Sequence, residues 1–352
     1  MNRYLFTISV AVMALCSACS NDDEQRIDTA QHPILLGSSF GADTRSVASN
    51  LLNGDTVYVW TDFINSATLQ TSEYFNAWQL RANGVGSLAP QPSGNTKLFP
   101  AINHLDFYAL CGNFGVVSEG ARAGEPFVEP EVMSLPTTSG ICHTVLSDQR
   151  TPEAFYKSDL LYSVVKDQEP VSSAVVLPFK HLLSRIQIIL VAGNGITTSD
   201  LSTATVKLVN LKRQVVFTPN KSADFSSQSA LASMLSIPMN AQQSDIQMNV
   251  YAAASYGEAL SAFSTAFADA IVVPQTIAKG AAFIKVSYLG RDTYYRIPNG
   301  DGDSPLTLQG GKQYCFRLIA DRIGDGHLFD DVTVEEWGTA TSNPLWLDNV
   351  SE

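Results

Sequence analysis

From residue 33 to residue 337 short apolar runs are broken repeatedly by Gly, Pro, Asn, Asp and Ser, and hardly any window keeps helical spacing over three turns. This punctuation confines the chain to an all-β fold. In Thr56-Val57-Tyr58-Val59-Trp60 both faces are apolar, as expected of a strand covered on both sides. In Leu105-Asp106-Phe107-Tyr108-Ala109 the apolar Leu105, Phe107 and Ala109 share one face and Asp106 points the other way, the period of two of a half-buried strand. Ile186, Ile188 and Leu190 form another inward face, as do Tyr314, Phe316 and Leu318. Residues 282–289 and 293–297 flank Gly290-Arg291-Asp292 and read as a hairpin. A short helix is expected over residues 229–235.

Residues 83–97, 118–152 and 255–268 lack clear periodicity and are expected as surface loops. The polar stretch Lys166-Asp167-Gln168-Glu169-Pro170 separates two groups of strands, which places a domain boundary near residue 172. The expected organisation is an N-terminal β-sandwich over residues 32–172 and a C-terminal one over 173–352. With 34 acidic against 22 basic side chains, a net charge of −12, nucleic acid is excluded as a partner.

The N-terminus opens with one basic residue, Arg3, followed by an uncharged apolar run over residues 4–15 and small residues up to Cys19. That run is shorter than the ~20 residues a membrane-spanning helix needs, and the pattern is that of a secretory signal over residues 1–18. Leu15-Cys16-Ser17-Ala18-Cys19 resembles a lipoprotein lipobox, which makes Cys19 the lipidation site and implies a palmitate-bearing anchor. An ordinary signal peptide cut nearby is the alternative. Residues 19–31, with Asp22, Asp23 and Glu24, form a polar acidic tether that cannot bury anything. It is either a plain solvated linker or an export signal.

No catalytic constellation stands out, and the chain is expected not to be an enzyme and to need no cofactor or metal. Gly37-Ser38-Ser39-Phe40-Gly41 matches a nucleophile-elbow pattern, but that chemistry needs a strand-turn-helix in a parallel sheet, with acid and histidine later in the chain. Asn299-Gly300-Asp301-Gly302-Asp303 alternates oxygen ligands like the start of a calcium loop, yet Gly310 stands where a bidentate Glu would be required, so a polar hairpin tip is favoured. The five histidines are scattered, and His181 reads as a structural histidine. Beyond the leader, Cys111, Cys142 and Cys315 are an odd set; one disulfide among them is open, and none is read as reactive.

A series of landmarks along the chain resembles the fimbrillins, pilin and adhesin subunits of the type V pili of Bacteroidetes. They are the lipobox cysteine, a first strand ahead of Thr44-Arg45, and Gly54-Asp55-Thr56-Val57-Tyr58-Val59. Asp106-Phe107-Tyr108-Ala109, Leu177-Pro178-Phe179-Lys180-His181-Leu182-Leu183-Ser184 and Gly310-Gly311-Lys312-Gln313-Tyr314 follow, and Val332-Thr333-Val334-Glu335-Glu336-Trp337 closes the set.

The resemblance implies two tandem transthyretin-like antiparallel β-sandwich domains. It also implies export to the outer face of a Gram-negative outer membrane or into a fimbrium, and a structural or adhesive role with other fimbrial subunits as partners. Many members are cut after an arginine past the first strand, and here Arg45 and Ser46 occupy that place; Arg45 as an ordinary loop residue is the other reading. In the tail, Leu345, Trp346, Leu347 and Val350 are apolar where a solvated terminus needs none. They either add a strand to the next subunit or fold back on their own domain. The competing function is a non-polymerising surface lipoprotein that binds a glycan or host protein.

Overall fold

The computed structural model describes residues 32–40, 50–112, 134–138, 140–193, 195–201, 203–252, 266–320 and 331–336. The first group of strands is β1 (Leu36–Phe40), β2 (Thr56–Ile64), β3 (Thr71–Ala82), β4 (Ser87–Pro90), β5 (His104–Gly112), β6 (Ile141–Thr144), β7 (Leu160–Gln168) and β8 (Val175–His181). Then come β9 (Ser184–Ala192), β10 (Thr205–Lys212), β11 (Gln214–Phe217), β12 (Leu235–Ser236), β13 (Gln243–Gln247) and β14 (Asn249–Ala252). The last are β15 (Ala266–Val272), β16 (Thr276–Ile277), β17 (Ala282–Tyr288), β18 (Arg291–Arg296), β19 (Leu306–Thr307), β20 (Lys312–Ala320) and β21 (Asp331–Glu336). The protein is therefore nearly all β, as the punctuation required.

Three short helices interrupt the strands among the described residues: α1 (Pro152–Lys157), α2 (Thr198–Leu201) and α3 (Gln228–Ser233). The last lies close to the expected 229–235 and starts at Ser227, whose hydroxyl accepts from Ala230 N at 3.3 Å. Helix α1 begins where the expected loop 118–152 ends, in a stretch with no helix expected. It is too short to show a period, yet Thr151 caps it, Pro152 opens it, and Glu153 and Lys157 sit at the dipole ends that suit their charges. Strands β4 and β6 occupy expected loops.

Strands β1, β4, β3, β2, β5, β7 and β8 pair in that order and close into a barrel. Its interior is built from alternate residues: Val57 and Val59 of β2, Leu105, Phe107 and Ala109 of β5, and Leu177 and Phe179 of β8. The outward residues Tyr58, Trp60, Tyr108, Leu110 and Tyr162 are buried too, because they pack against the second half of the molecule. This explains the two apolar faces at Thr56–Trp60.

It also corrects the half-buried expectation for β5, since Asp106 is only 7 % exposed. Asp106 lies directly across from Asp62 of β2, two like charges on paired strands. Each carboxylate has its own lysine: Lys166 Nζ lies 2.8 Å from Asp106, and Lys221 Nζ 2.7 Å from both oxygens of Asp62. Lys166 also bonds the Tyr108 hydroxyl. Burying this set is tolerable because each charge is matched.

The second half has a four-stranded sheet, β13-β10-β17-β18, and a five-stranded sheet, β14-β15-β9-β20-β21. Val206, Leu208, Ile284 and Val286 of the first share one core with Ile186, Ile188, Phe316 and Leu318 of the second. Phe283 and Phe316 meet across it with ring centroids 5.4 Å apart, and Tyr295 Oη donates to Ile319 O at 3.0 Å. Phe316 and Leu318 thus face inward as expected.

Three details differ from the sequence reading. The sheets are not purely antiparallel, because β1 runs parallel to β8 and β20 parallel to β9. Hydrogen bonding does not divide at residue 172: β8, beyond it, closes the barrel, whereas β6, before it, pairs with β11 of the second half. The hairpin between β17 and β18 turns on Leu289 and Gly290, both at positive φ (50° and 71°), so Arg291 already belongs to the strand and pairs with Tyr288.

Two of the landmarks pack on each other. Gly311 N donates to Leu183 O at 2.7 Å, Ser184 Oγ donates to Gln309 O at 2.8 Å, and a Cβ on Gly310 would stand 2.3 Å from Leu182 O. Only glycine fits there.

Candidate functional site: the first strand and its groove

Strand β1 bridges the two strands that would otherwise be free edges of the barrel. It pairs parallel with β8, Leu36 to Val175 through Phe40 to Phe179, and antiparallel with β4 at Leu36↔Leu88 and Gly37↔Ser87. The main-chain bonds extend upstream. Ile34 N donates to Lys97 O and Phe99 N to His32 O, both at 2.8 Å, and Val175 N donates to Leu35 O at 2.9 Å.

Side chains alternate as a strand requires. Ile34 and Leu36 point into the barrel, 2 % and 4 % exposed, while Leu35 faces out at 47 %. Burying each of the inward pair stabilises the strand by about 1.5–3 kcal/mol. The next inward residue is Ser38, which fills no apolar volume. Gly37 is needed because Ser38 N bonds Gly86 O at 2.8 Å, and a Cβ on Gly37 would lie 3.0 Å from that same oxygen. Two main-chain ladders and these two inward side chains are what hold the strand.

At its end β1 meets a cavity. Phe40 stacks on His181 with ring centroids 5.3 Å apart and planes 2° from parallel, and His181 Nδ1 lies 2.6 Å from Asp159 Oδ2. The histidine is tied down, in keeping with a structural role. Asp55 and Cys111 also line this cavity. Burial pushes the Asp55 carboxyl up, the bond from Leu52 N pulls against it, and the Asp159 charge adds to the rise. Burial likewise pushes the Cys111 thiol well up, which makes it a poor nucleophile.

The residues singled out for lipidation, cleavage and strand donation, Cys19, Arg45, Ser46, Leu345, Trp346, Leu347 and Val350, lie outside the described residues. Ser39 of the elbow-like pattern sits within β1 itself. In the calcium-like run, Asp303 turns its carboxylate onto Gly300 N. No disulfide links Cys111, Cys142 and Cys315. Among the described residues, no group of three His, Cys, Asp or Glu side chains is placed to hold a metal ion, and no helix is long and apolar enough to cross a membrane. The groove itself, formed by β4 and β8, was not legible in the sequence, because nothing in the sequence pairs residue 36 with residue 175. The period-two burial of Ile34 and Leu36 was the available signal.

These features define an all-β protein that completes its first barrel with its own first strand. Residues 44–337 match the family model described as fimbrillin-like, and the chain belongs to the fimbrillin-like family. The match begins inside the Thr44-Arg45 landmark and ends at Trp337, so the resemblance read from the landmarks holds. The crystal structure of a candidate cell adhesion protein from Bacteroides uniformis is similar in fold, at 16 % identity and a TM-score of 0.53, covering 87 % of this chain and 98 % of that one. Another candidate cell adhesion protein, from Bacteroides ovatus, gives 17 % identity and a TM-score of 0.56 over 88 % and 98 %. At these identities the likeness is one of fold. No curated protein sequence matches.

Proposed function

We propose that this protein is a structural or adhesive subunit of a cell-surface fimbria, and that it joins its neighbours by exchanging strands. The observation that carries the reading is the bridging position of β1, with two main-chain ladders and few buried side chains, directly ahead of the segment that contains Arg45. Cutting after Arg45 would let β1 leave. The vacated groove would then present unpaired donors and acceptors on β4 and β8, and pockets emptied of Ile34 and Leu36, to an extended segment of another chain.

The donor in this reading is the tail carrying Leu345, Trp346, Leu347 and Val350, which follows the edge strand β21. Membership of the fimbrillin-like family supports a fimbrial or cell-adhesion role at the cell surface, without catalysis. The two halves are read as tandem, transthyretin-like units. Lipidation at Cys19 and the acidic run at Asp22, Asp23 and Glu24 would bring the precursor to the outer face of the outer membrane.

The test is the mature N-terminus together with the polymer ladder. Wild type should begin at Ser46 and form heat-stable oligomers, whereas Arg45→Ala should remain monomeric with β1 in place. A strand already seated competes at high effective concentration. A normal ladder from Arg45→Ala, or a mature terminus elsewhere, overturns the cleavage step. Oligomers that survive truncation after Trp337 overturn the tail as donor.

A further inference from the structure

Where β1 ends against α1, the barrel mouth holds a cavity of about 310 Å³, within the range of small-molecule sites. Its walls are apolar and aromatic, with Phe40, Leu51, Phe155 and Tyr156 among them. Several acidic and basic side chains also line it, and among the described residues all but one have a side-chain partner. Arg185 is 2.8 Å from Asp269, Lys157 is 2.7 Å from Glu153, and Asp159 is held by His181 at 2.6 Å. The exception is Asp55. Its Oδ2 accepts from Leu52 N at 2.9 Å, and among the described residues no Lys, Arg or His forms an ion pair with it.

We propose that this cavity is a binding site for a small organic cation, a primary ammonium carried on a short aromatic body, with Asp55 as its counter-ion and Phe40 and Tyr156 as walls. A carboxylate in an apolar cleft lacks the hydration that balances it in water, and an ammonium at hydrogen-bonding distance supplies that balance. Burial and the Asp159 charge raise the Asp55 carboxyl, the Leu52 N bond and the Lys157 charge lower it, and a bound ammonium would act in the lowering direction and favour the carboxylate. The aromatic walls offer the ring faces that a desolvated ammonium prefers. Phe40 belongs to β1, so the complete site exists only while β1 is seated, and its test uses the uncleaved chain; Asp55 and Tyr156 stay in place in either state.

The full-length protein should bind tyramine at one saturable site in isothermal titration, and 4-ethylphenol, which has the same body without the ammonium, at least about tenfold more weakly. Asp55→Asn keeps an acceptor for Leu52 N, so it should fold as wild type by circular dichroism and still lose about tenfold in tyramine affinity. Tyr156→Ala, at a partly exposed position, should weaken tyramine several-fold without changing the melting temperature. The proposal is overturned by absence of tyramine binding, by equal affinity for 4-ethylphenol, or by unchanged affinity in Asp55→Asn. If Asp55→Asn does not fold, Tyr156→Ala decides: unchanged tyramine affinity in that variant overturns the site.

Discussion

Strands β1 and β20 each pair with one parallel and one antiparallel neighbour, and they are held by different forces. Each runs parallel to a strand distant in sequence, β1 to β8 and β20 to β9, and each has an antiparallel neighbour on its other edge. Strand β20 sends Tyr314, Phe316, Leu318 and Ala320 into the core, at 3 %, 0 %, 0 % and 0 % exposure. Strand β1, Leu-Gly-Ser-Ser-Phe, buries one large apolar side chain fully, Leu36, with Ile34 just upstream. Both strands pair along two edges, β1 over only two residues on its β4 side, and only β20 is also packed like a core strand. Main-chain bonds contribute little net stability, because water satisfies the same groups once the strand leaves. The proposed exchange needs a strand held that way. A strand such as β20 cannot leave without dissolving the core.

The contrast breaks if truncating the two strands has equal effects. Phe316→Ala should lower the unfolding free energy by about 3–5 kcal/mol in urea titrations, the usual range for a buried Phe. A loss no greater than that of a β1 variant would remove the distinction. Leu36→Ala should cost about 2–3 kcal/mol at most and act locally. It should speed hydrogen exchange at the Val175 amide, which bonds Leu35 O, well before it affects the amides of β9. If the whole chain opens together, β1 is not a separable element.

Gly37→Ala sharpens the same point through the backbone. Its Cβ would press on Gly86 O at 3.0 Å, so a loss of about 1–3 kcal/mol is expected, again confined to the barrel. An unchanged melting temperature would mean that the turn before β4 yields freely. The smallest effect concerns Asp55, beside the end of β1. Its carboxyl is raised by burial first, so the folded state holds the proton more tightly than the unfolded state does. That favours the fold at acid pH, and the contribution is lost as pH rises through the raised value. Asp55→Asn should therefore melt above wild type at pH 7, and the gain should vanish below the ordinary carboxylate range. A variant less stable than wild type at pH 7 would reverse this sign.

The sequence legibly marked strands whose inward residues alternate, β5, β9 and β20, because a period of two needs only local information, and it marked β2 by its two apolar faces. Short capped elements were missed. Helix α1 is signalled only by Thr151, Pro152, Glu153 and Lys157, and the two-residue turn at Leu289-Gly290 was displaced because leucine is an unusual residue at positive φ. The cavity beside Asp55 was invisible, since Phe40, Asp55, Cys111, Tyr156 and His181 are far apart in the chain.

The sequence by itself determined an all-β chain and membership of the fimbrillin-like family, because apolar periodicity and glycine landmarks are written residue by residue. Only the tertiary structure decided that β1 lies between β4 and β8, that the barrel runs on past residue 172, and that Asp62 and Asp106 are buried opposite each other with separate lysines. The physical reason is that strand partners are selected by the shape and burial of a whole core. The pattern along one strand says which face turns inward and leaves its neighbour unnamed.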